Sequence, residues 1–220
     1  ITALIFKVHR DDNLWFYFIA YFRSNTGIHG KETSHRSEKN INFAYLPDFL
    51  IAKSVPEIAE NKYRVFEDNG QLYMEIYPEG VTLYAFYKLI LNNSDVQVDT
   101  YAQKVAGPNT NNLSVICRAS EAGWYEFSMT SGGYWYIWLY FNGKYTQLAK
   151  GASMAINMKN QPNQLTATCV GSDLTFYIND TKMGAVKDRT LMEGGQVGVS
   201  IYSEYPNLGV VFEWFSAIVP

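Results

Sequence analysis

The stretch Trp124–Phe141 constrains this chain more than any other. It runs Trp-Tyr-Glu-Phe-Ser-Met-Thr, breaks at Ser131-Gly132-Gly133, and continues Tyr-Trp-Tyr-Ile-Trp-Leu-Tyr-Phe. Two aromatic, β-favouring runs around a short glycine-bearing break predict a β-hairpin. Its register follows from the faces. With Ser131, Gly132 and Gly133 all in the loop, Thr130 pairs with Tyr134. Tyr125, Phe127 and Met129 then share one wholly apolar face with Trp135, Ile137, Leu139 and Phe141. A two-residue loop would place Ser128 and Glu126 beside Trp135 and Ile137. Because a one-residue slip turns every side chain over, the three-residue loop is expected, with a glycine in the left-handed region. The opposite face then carries Trp124, Glu126, Ser128 and Thr130 beside Tyr134, Tyr136, Trp138 and Tyr140. Aromatic rings interleaved with small polar groups and one carboxylate suit stacking on sugar rings, with the polar groups taking the hydroxyls. The plainer alternative is a strand buried on both faces, with these rings packed under a loop. Both readings stay open at this point.

The rest of the chain bounds the possibilities. At 220 residues it is long enough for one large β domain, or for one domain with an appendage. Its 17 Tyr, 13 Phe and 5 Trp favour strands. A net charge of −3 without a basic run argues against nucleic acid. The longest apolar run, Leu14 to Phe22, is about half the length needed for a transmembrane span. The chain begins at Ile1 inside a strand-like pattern, which predicts a processed or trimmed piece of a longer product.

Residues 1–23 read as a strand pair around Arg10-Asp11-Asp12-Asn13. Ser24 to Asn42 reads as a polar link, and residues 48–60 as a segment with short helical turns. From Lys62 onward short strands follow one another to the end. Tight-turn signals stand at Asp68-Asn69-Gly70, Asn142-Gly143, Gly171-Ser172-Asp173 and Asn179-Asp180. The expected organisation is an N-terminal strand pair and linker over 1–61, then a β-sandwich over 62–220. Leu4-Ile-Phe-Lys…Trp15-Phe-Tyr-Phe echoes Val115-Ile-Cys-Arg…Trp124-Tyr-Glu-Phe, at most as half a repeat. Cys117 and Cys169 each sit within a strand-like run. Two buried thiols are one reading. A disulfide is favoured because the rest of the sequence looks secreted, and it would close a loop whose chain entropy contributes about 4 kcal/mol.

From about Lys62 to Pro220 the order of Val115-Ile-Cys-Arg, the aromatic hairpin, Asn163-Gln-Leu-Thr-Ala-Thr-Cys, Leu174-Thr-Phe-Tyr-Ile-Asn-Asp, Gly195-Gln-Val-Gly-Val and Val211-Phe-Glu-Trp-Phe resembles the concanavalin A-like lectin/glucanase jelly rolls. It is similar in particular to bacterial extracellular domains described as 3-keto-disaccharide hydrolase-like or LamG-like. The resemblance implies an all-β antiparallel sandwich with one concave sheet, an extracellular or cell-surface location, and a glycan or surface polymer as partner. Fold analogy alone does not fix function.

Glucanases of this superfamily carry a Glu-x-Asp-x-x-Glu strand, which sets paired carboxylates around one glycosidic bond. That pattern is absent here; the nearest strand acids are Glu126 and Asp99, each single. All three histidines (His9, His29 and His35) precede the sandwich, so no Ser-His-Asp set or His-rich zinc site is available within it. The resemblance admits a structural calcium ion, but Asp68-Asn69-Gly70 and Asn179-Asp180 read first as turns. No cofactor, metal site or catalytic residue is assigned. The leading expectation is a non-catalytic module binding a glycan through Tyr134, Tyr136, Trp138, Tyr140, Trp124 and Glu126. The alternatives are a structural or assembly subunit of a surface layer, filament or membrane-associated complex that contacts other chains through its N-terminal segment, and a glycoside hydrolase-like enzyme working around Glu126 and Asp99.

Overall fold

The computed structural model describes residues 2–8, 16–22, 37–41, 48–54, 58–88 and 90–219. The first three of these segments are described as backbone strands only. Strands β1 (Thr2–Val8) and β2 (Phe16–Phe22) pair antiparallel as a two-stranded sheet of their own, as their β-forming composition predicts. The turn expected at Arg10–Asn13 and most of the expected link, 24–36, lie outside the described residues.

The remaining strands form two antiparallel sheets packed face to face. One has the order β12 (Lys144–Ala152), β11 (Tyr134–Phe141), β10 (Gly123–Thr130), β9 (Asn112–Ala119), β16 (Gln196–Ser203), β7 (Val81–Tyr87), β4 (Phe49–Lys53). The other has the order β15 (Thr181–Lys187), β14 (Asp173–Ile178), β13 (Asn163–Val170), β8 (Val96–Ala106), β17 (Leu208–Val219), β6 (Gln71–Ile76), β5 (Tyr63–Asp68). The last strand, β17, pairs with β6 through Leu208–Phe212 and then with β3 (Ser37–Ile41) through Phe215–Val219. This is the antiparallel sandwich of a jelly roll.

Two expectations for the N-terminal quarter are corrected. Phe49–Lys53, read as part of a segment with helical turns, is edge strand β4, hydrogen-bonded to β7, while a short 3-10 turn does begin at the segment's end, over Glu60–Lys62. Ser37–Ile41, read as link, is strand β3 beside β17. The sheets therefore include chain from before Lys62. Both strands are only five residues long and lie at sheet margins. The β3 sequence is polar, and the apolar β4 run is too short for its period to separate strand from helical turn.

The hairpins obey their turn chemistry. Met129 pairs with Trp135 and Phe127 with Ile137, the register of the three-residue loop. Gly133 takes a φ of +92° and donates its N–H to Thr130 O, as expected for a glycine in the loop. Asn142 and Gly143 both have positive φ, which fixes the β11–β12 turn so that Phe141 faces Lys144 and Tyr140 faces Tyr145. All seven side chains assigned to the inner face pack into the core, with Tyr125, Phe127 and Ile137 fully buried.

Cys117 on β9 and Cys169 on β13 are disulfide-bonded across the two sheets, with Cα atoms 6.8 Å apart. Near one side of the sandwich the Trp135 indole lies between two glycines. A Cβ built on Gly151 (β12) would fall 2.7 Å from its ring, and one on Gly184 (β15) 2.5 Å. Each edge strand thus gives up a side chain to let one tryptophan fill the seam between the sheets.

Candidate binding face on the β10–β12 sheet

Alternation places the outer residues of β10 and β11 on the side of the sheet away from the core. The pairing extends this face in rows. Trp138 faces Glu126 on one side and Gln147 on the other, while Tyr136 lies between Ser128 and Lys150. Beyond β10 the rows continue through Ile116 and Ser114 of β9, then Gly198 and Ser200 of β16, to Phe86 and Tyr84 of β7.

The six expected residues do share this face, but they divide into an open and a closed half. Tyr134 is 55% exposed, and Tyr136 and Trp138 are half-buried. Trp124 (3% exposed), Glu126 (4%) and Tyr140 (5%) are buried. Trp124 stacks on Tyr140 at 4.0 Å between centroids and meets Tyr84 and Phe86 edge to face at 5.3 and 5.6 Å. The outward-facing surface is therefore a second, smaller apolar cluster at this end. The expected ladder of four open rings is open only from Tyr134 to Trp138.

Tyr145, 39% exposed, marks the border between this packed end and the open run. It sits on edge strand β12, and its ring meets Tyr140 at 4.9 Å, Trp138 at 6.2 Å and Trp124 at 6.4 Å. Its interplanar angle to Trp138 is 86°, so it stands as a wall beside that ring. Tyr136 and Trp138 lie against each other at 5.3 Å and 23°.

Glu126 is the hub beneath these rings. Oε2 accepts from the Tyr145 hydroxyl at 2.7 Å and the Trp124 Nε1–H at 3.3 Å, and Oε1 accepts from the Ser200 hydroxyl at 2.8 Å. A buried carboxylate without a cation is tolerated only when its lone pairs are engaged in this way. Since the single Tyr145 proton goes to Glu126, the Tyr84 hydroxyl, 3.1 Å from Tyr145 Oη, donates to it. Burial, followed by the nearby Glu126 charge, drives the phenol pKa of Tyr84 well above the ordinary tyrosine range, and that of Tyr145, which is 39% exposed but whose hydroxyl sits between Tyr84 and Glu126, is raised by the same two causes. Burial also raises that of Tyr136, assisted by Glu204 and Tyr134.

Asp99, considered with Glu126 as a catalytic candidate, lies on β8 in the other sheet. Its neighbours Val98 and Thr100 are fully buried, and Asp99 accepts from Thr166 and Gln97 on the far outer side. Glu126 and Asp99 thus face out from opposite sides of the sandwich and cannot act on one glycosidic bond. Among the described residues no group of three or more His, Cys, Asp or Glu side chains is placed to hold a metal.

Tyr145, Tyr84, Phe86 and Ser200 were not singled out from sequence. For Tyr145 a signal existed, because a two-residue Asn142-Gly143 turn pairs it with Tyr140. Tyr84 and Phe86 lie in the uninterrupted run Val81–Tyr87, which does not reveal which side faces the core.

The fold is that of the concanavalin A-like lectins and glucanases. The carbohydrate-binding module CBM66 from Bacillus subtilis superposes with a TM-score of 0.57 at 13% identity, over 69% of this chain and 89% of that one. A prokaryotic β-1,3-1,4-glucanase (lichenase) from a mouse hindgut metagenome gives a TM-score of 0.60 at 9% identity, over 84% and 99%. The carbohydrate recognition domain of Emp46p gives 0.58 at 8% identity, over 80% and 89%. No protein-family model matches the sequence, and no curated protein matches it.

Proposed function

We propose that this protein is a non-catalytic glycan-binding β-sandwich module, with its ligand resting on Tyr134, Tyr136 and Trp138. The observation that carries this reading is the half-open run of rings on β11, bordered by the exposed polar side chains of Gln147 and Lys150. Rings of this kind present apolar surface to the C–H faces of a sugar, while the border supplies hydrogen bonds. Glu126 is the one carboxylate on the strands of that face among the described residues, and its oxygens are committed to three protein donors. Glycoside hydrolysis needs a second carboxylate within roughly 5–10 Å across the bond; Asp99 is on the wrong side, and Glu204, which acts on Tyr136 from the loop after β16, would have to work with a Glu126 whose oxygens are already engaged by the protein.

Structural neighbours that are a carbohydrate-binding module and a carbohydrate recognition domain agree with this reading, although the lichenase shows that the same fold also serves hydrolysis. The disulfide supports a secreted location. The test is a glycan array run beside a reducing-sugar release assay on the polysaccharides bound. Binding without product release is expected; release of product that requires Glu126 would contradict the proposal.

A further inference from the structure

We infer that the margin of β5 pairs with the β5 of a second copy of this chain, giving a weak two-fold dimer. Strand β5 (Tyr63–Asp68) ends its sheet. β6 pairs with one side of it, and no described strand pairs with the other. The hairpin decides which backbone groups that margin offers. Asn69 and Gly70, both at positive φ, make a two-residue turn, so Asp68 and Gln71 are a hydrogen-bonded pair. The alternation of an antiparallel ladder then turns the N–H and C=O groups of Arg64, Phe66 and Asp68 toward β6, and those of Tyr63, Val65 and Glu67 toward the margin. The bond from Tyr77 N–H to Lys62 O has the same phase. A row of backbone groups without a strand partner is a template for another strand.

The charges select which strand. Arg64, Phe66 and Asp68 share the outer face of β5, and Arg64 and Asp68 are exposed. Antiparallel pairing of β5 with its own copy, centred on Phe66, sets Arg64 of each chain directly opposite Asp68 of the other. The same register exchanges N–H···O bonds between Val65 and Glu67. Arg64 is already placed for this. Its Nη1 lies 3.4 Å from Glu75 Oε2, and its guanidinium lies 4.7 Å over the Phe66 ring, which stacks on Tyr73 at 4.9 Å. The other strands that end the two sheet orders, β4, β12 and β15, have lysine as their only charged residue type. A lysine-only edge repels its own copy, the usual protection of an edge strand. Of these four strands only β5 carries both signs, spaced to attract. A patch that meets itself about a two-fold axis closes at two chains. With one short strand from each copy the interface is small, so the association is weak. β11 lies toward the opposite side of the sandwich, where Trp135 bridges β12 and β15, so the pairing leaves both aromatic faces open. On the glycan reading above, the dimer gains avidity for a multivalent glycan; the dimer itself does not rest on that reading.

Sedimentation velocity of the full chain, from roughly 5 µM to 1 mM, is expected to show monomer passing to dimer in the upper part of the range. Over the same series hydrogen exchange at the Val65 and Glu67 amides is expected to slow, while Arg64 and Phe66, already bonded to β6, exchange as before. Arg64→Glu and Asp68→Lys each set like charges opposite one another and are expected to weaken association about tenfold. An equimolar mixture of the two variants dimerises again, because the glutamate introduced in one chain faces the lysine introduced in the other. The exchange measurement uses the unaltered chain, so it decides even where a variant folds poorly. The proposal is overturned if the parent stays monomeric at the top of the range, or if it associates without slowing exchange at Val65 and Glu67. It is overturned equally if the single variants associate as the parent does, or if mixing them restores nothing.

Discussion

Tyr145 Oη lies 2.7 Å from Glu126 Oε2 although the two residues stand on strands separated by β11. The tyrosine reaches over Tyr140 to place its hydroxyl on a buried carboxylate, and this contact divides the outer aromatic face into a packed end and an open end. Tyr145→Phe keeps the ring and removes the shortest of the three hydrogen bonds to Glu126. Because a charged acceptor loses a donor, the variant is expected to lose about 1.5–3 kcal/mol of stability in urea denaturation. An unchanged midpoint would show that the contact carries no net energy.

The raised tyrosines are expected to make stability fall at alkaline pH. Burial, followed by the hydrogen bond to Asp188, pushes the Tyr125 phenol up to about 12, and Tyr84 and Tyr145 are also raised. An unfolded tyrosine loses its proton near pH 10. Below that point folded and unfolded states hold the same protons. Above it the unfolded chain releases protons that the folded one keeps, so stability is lost as pH rises through the folded values. Urea midpoints at roughly pH 9, 10 and 11 should decline in that order, and Tyr125→Phe should flatten the decline.

Trp135 between Gly151 and Gly184 predicts intolerance to the smallest added side chain. Gly184→Ala puts a methyl group within 2.5 Å of the indole and forces the ring or the edge strand to move. Overpacking of this kind costs about 1–3 kcal/mol. Trp135→Leu introduced into Gly184→Ala should recover part of the loss, which a thermal melt of the three variants would register.

The disulfide joins residues 52 apart in sequence and links the two sheets. Cys117→Ala with Cys169→Ala should cost about 2–5 kcal/mol, and reductant should lower the melting temperature of the parent but not of the double variant.

Much of this architecture was legible in the order of residues. The alternation in Trp124–Phe141 specifies the hairpin register because only one loop length keeps Tyr125, Phe127, Met129, Trp135, Ile137, Leu139 and Phe141 on a common face. The glycine and asparagine turns specify the hairpins in the same local way. The candidate site was legible only in part. Face membership is a local property, so Tyr134, Tyr136, Trp138, Tyr140, Trp124 and Glu126 were correctly grouped. Exposure depends on strands remote in sequence, and nothing local shows that Tyr84 and Phe86 of β7 arrive beside Trp124, or that Tyr145 folds across. For the same reason Glu126 and Asp99 read as neighbours in kind, while the chain's alternation between sheets sets them on opposite sides of the molecule. Strand β3 escaped notice because its Ser-Glu-Lys-Asn-Ile run is as polar as a link, and strand β4 because five residues between Pro47 and Pro56 are too few to tell a strand from a helical turn.

The most direct test of glycan binding on the open end of this face is Trp138→Ala, measured for both affinity and melting temperature. Trp138 is half-buried, and among the described residues its ring–ring contacts are with Tyr136 and Tyr145. Affinity for the glycan identified by array should fall about tenfold, as for loss of one aromatic anchor of roughly 1–2 kcal/mol, with the melting temperature shifted by no more than a few degrees. A sharp fall in melting temperature, with no glycan bound by either protein, would contradict the account and make these rings a packing face alone.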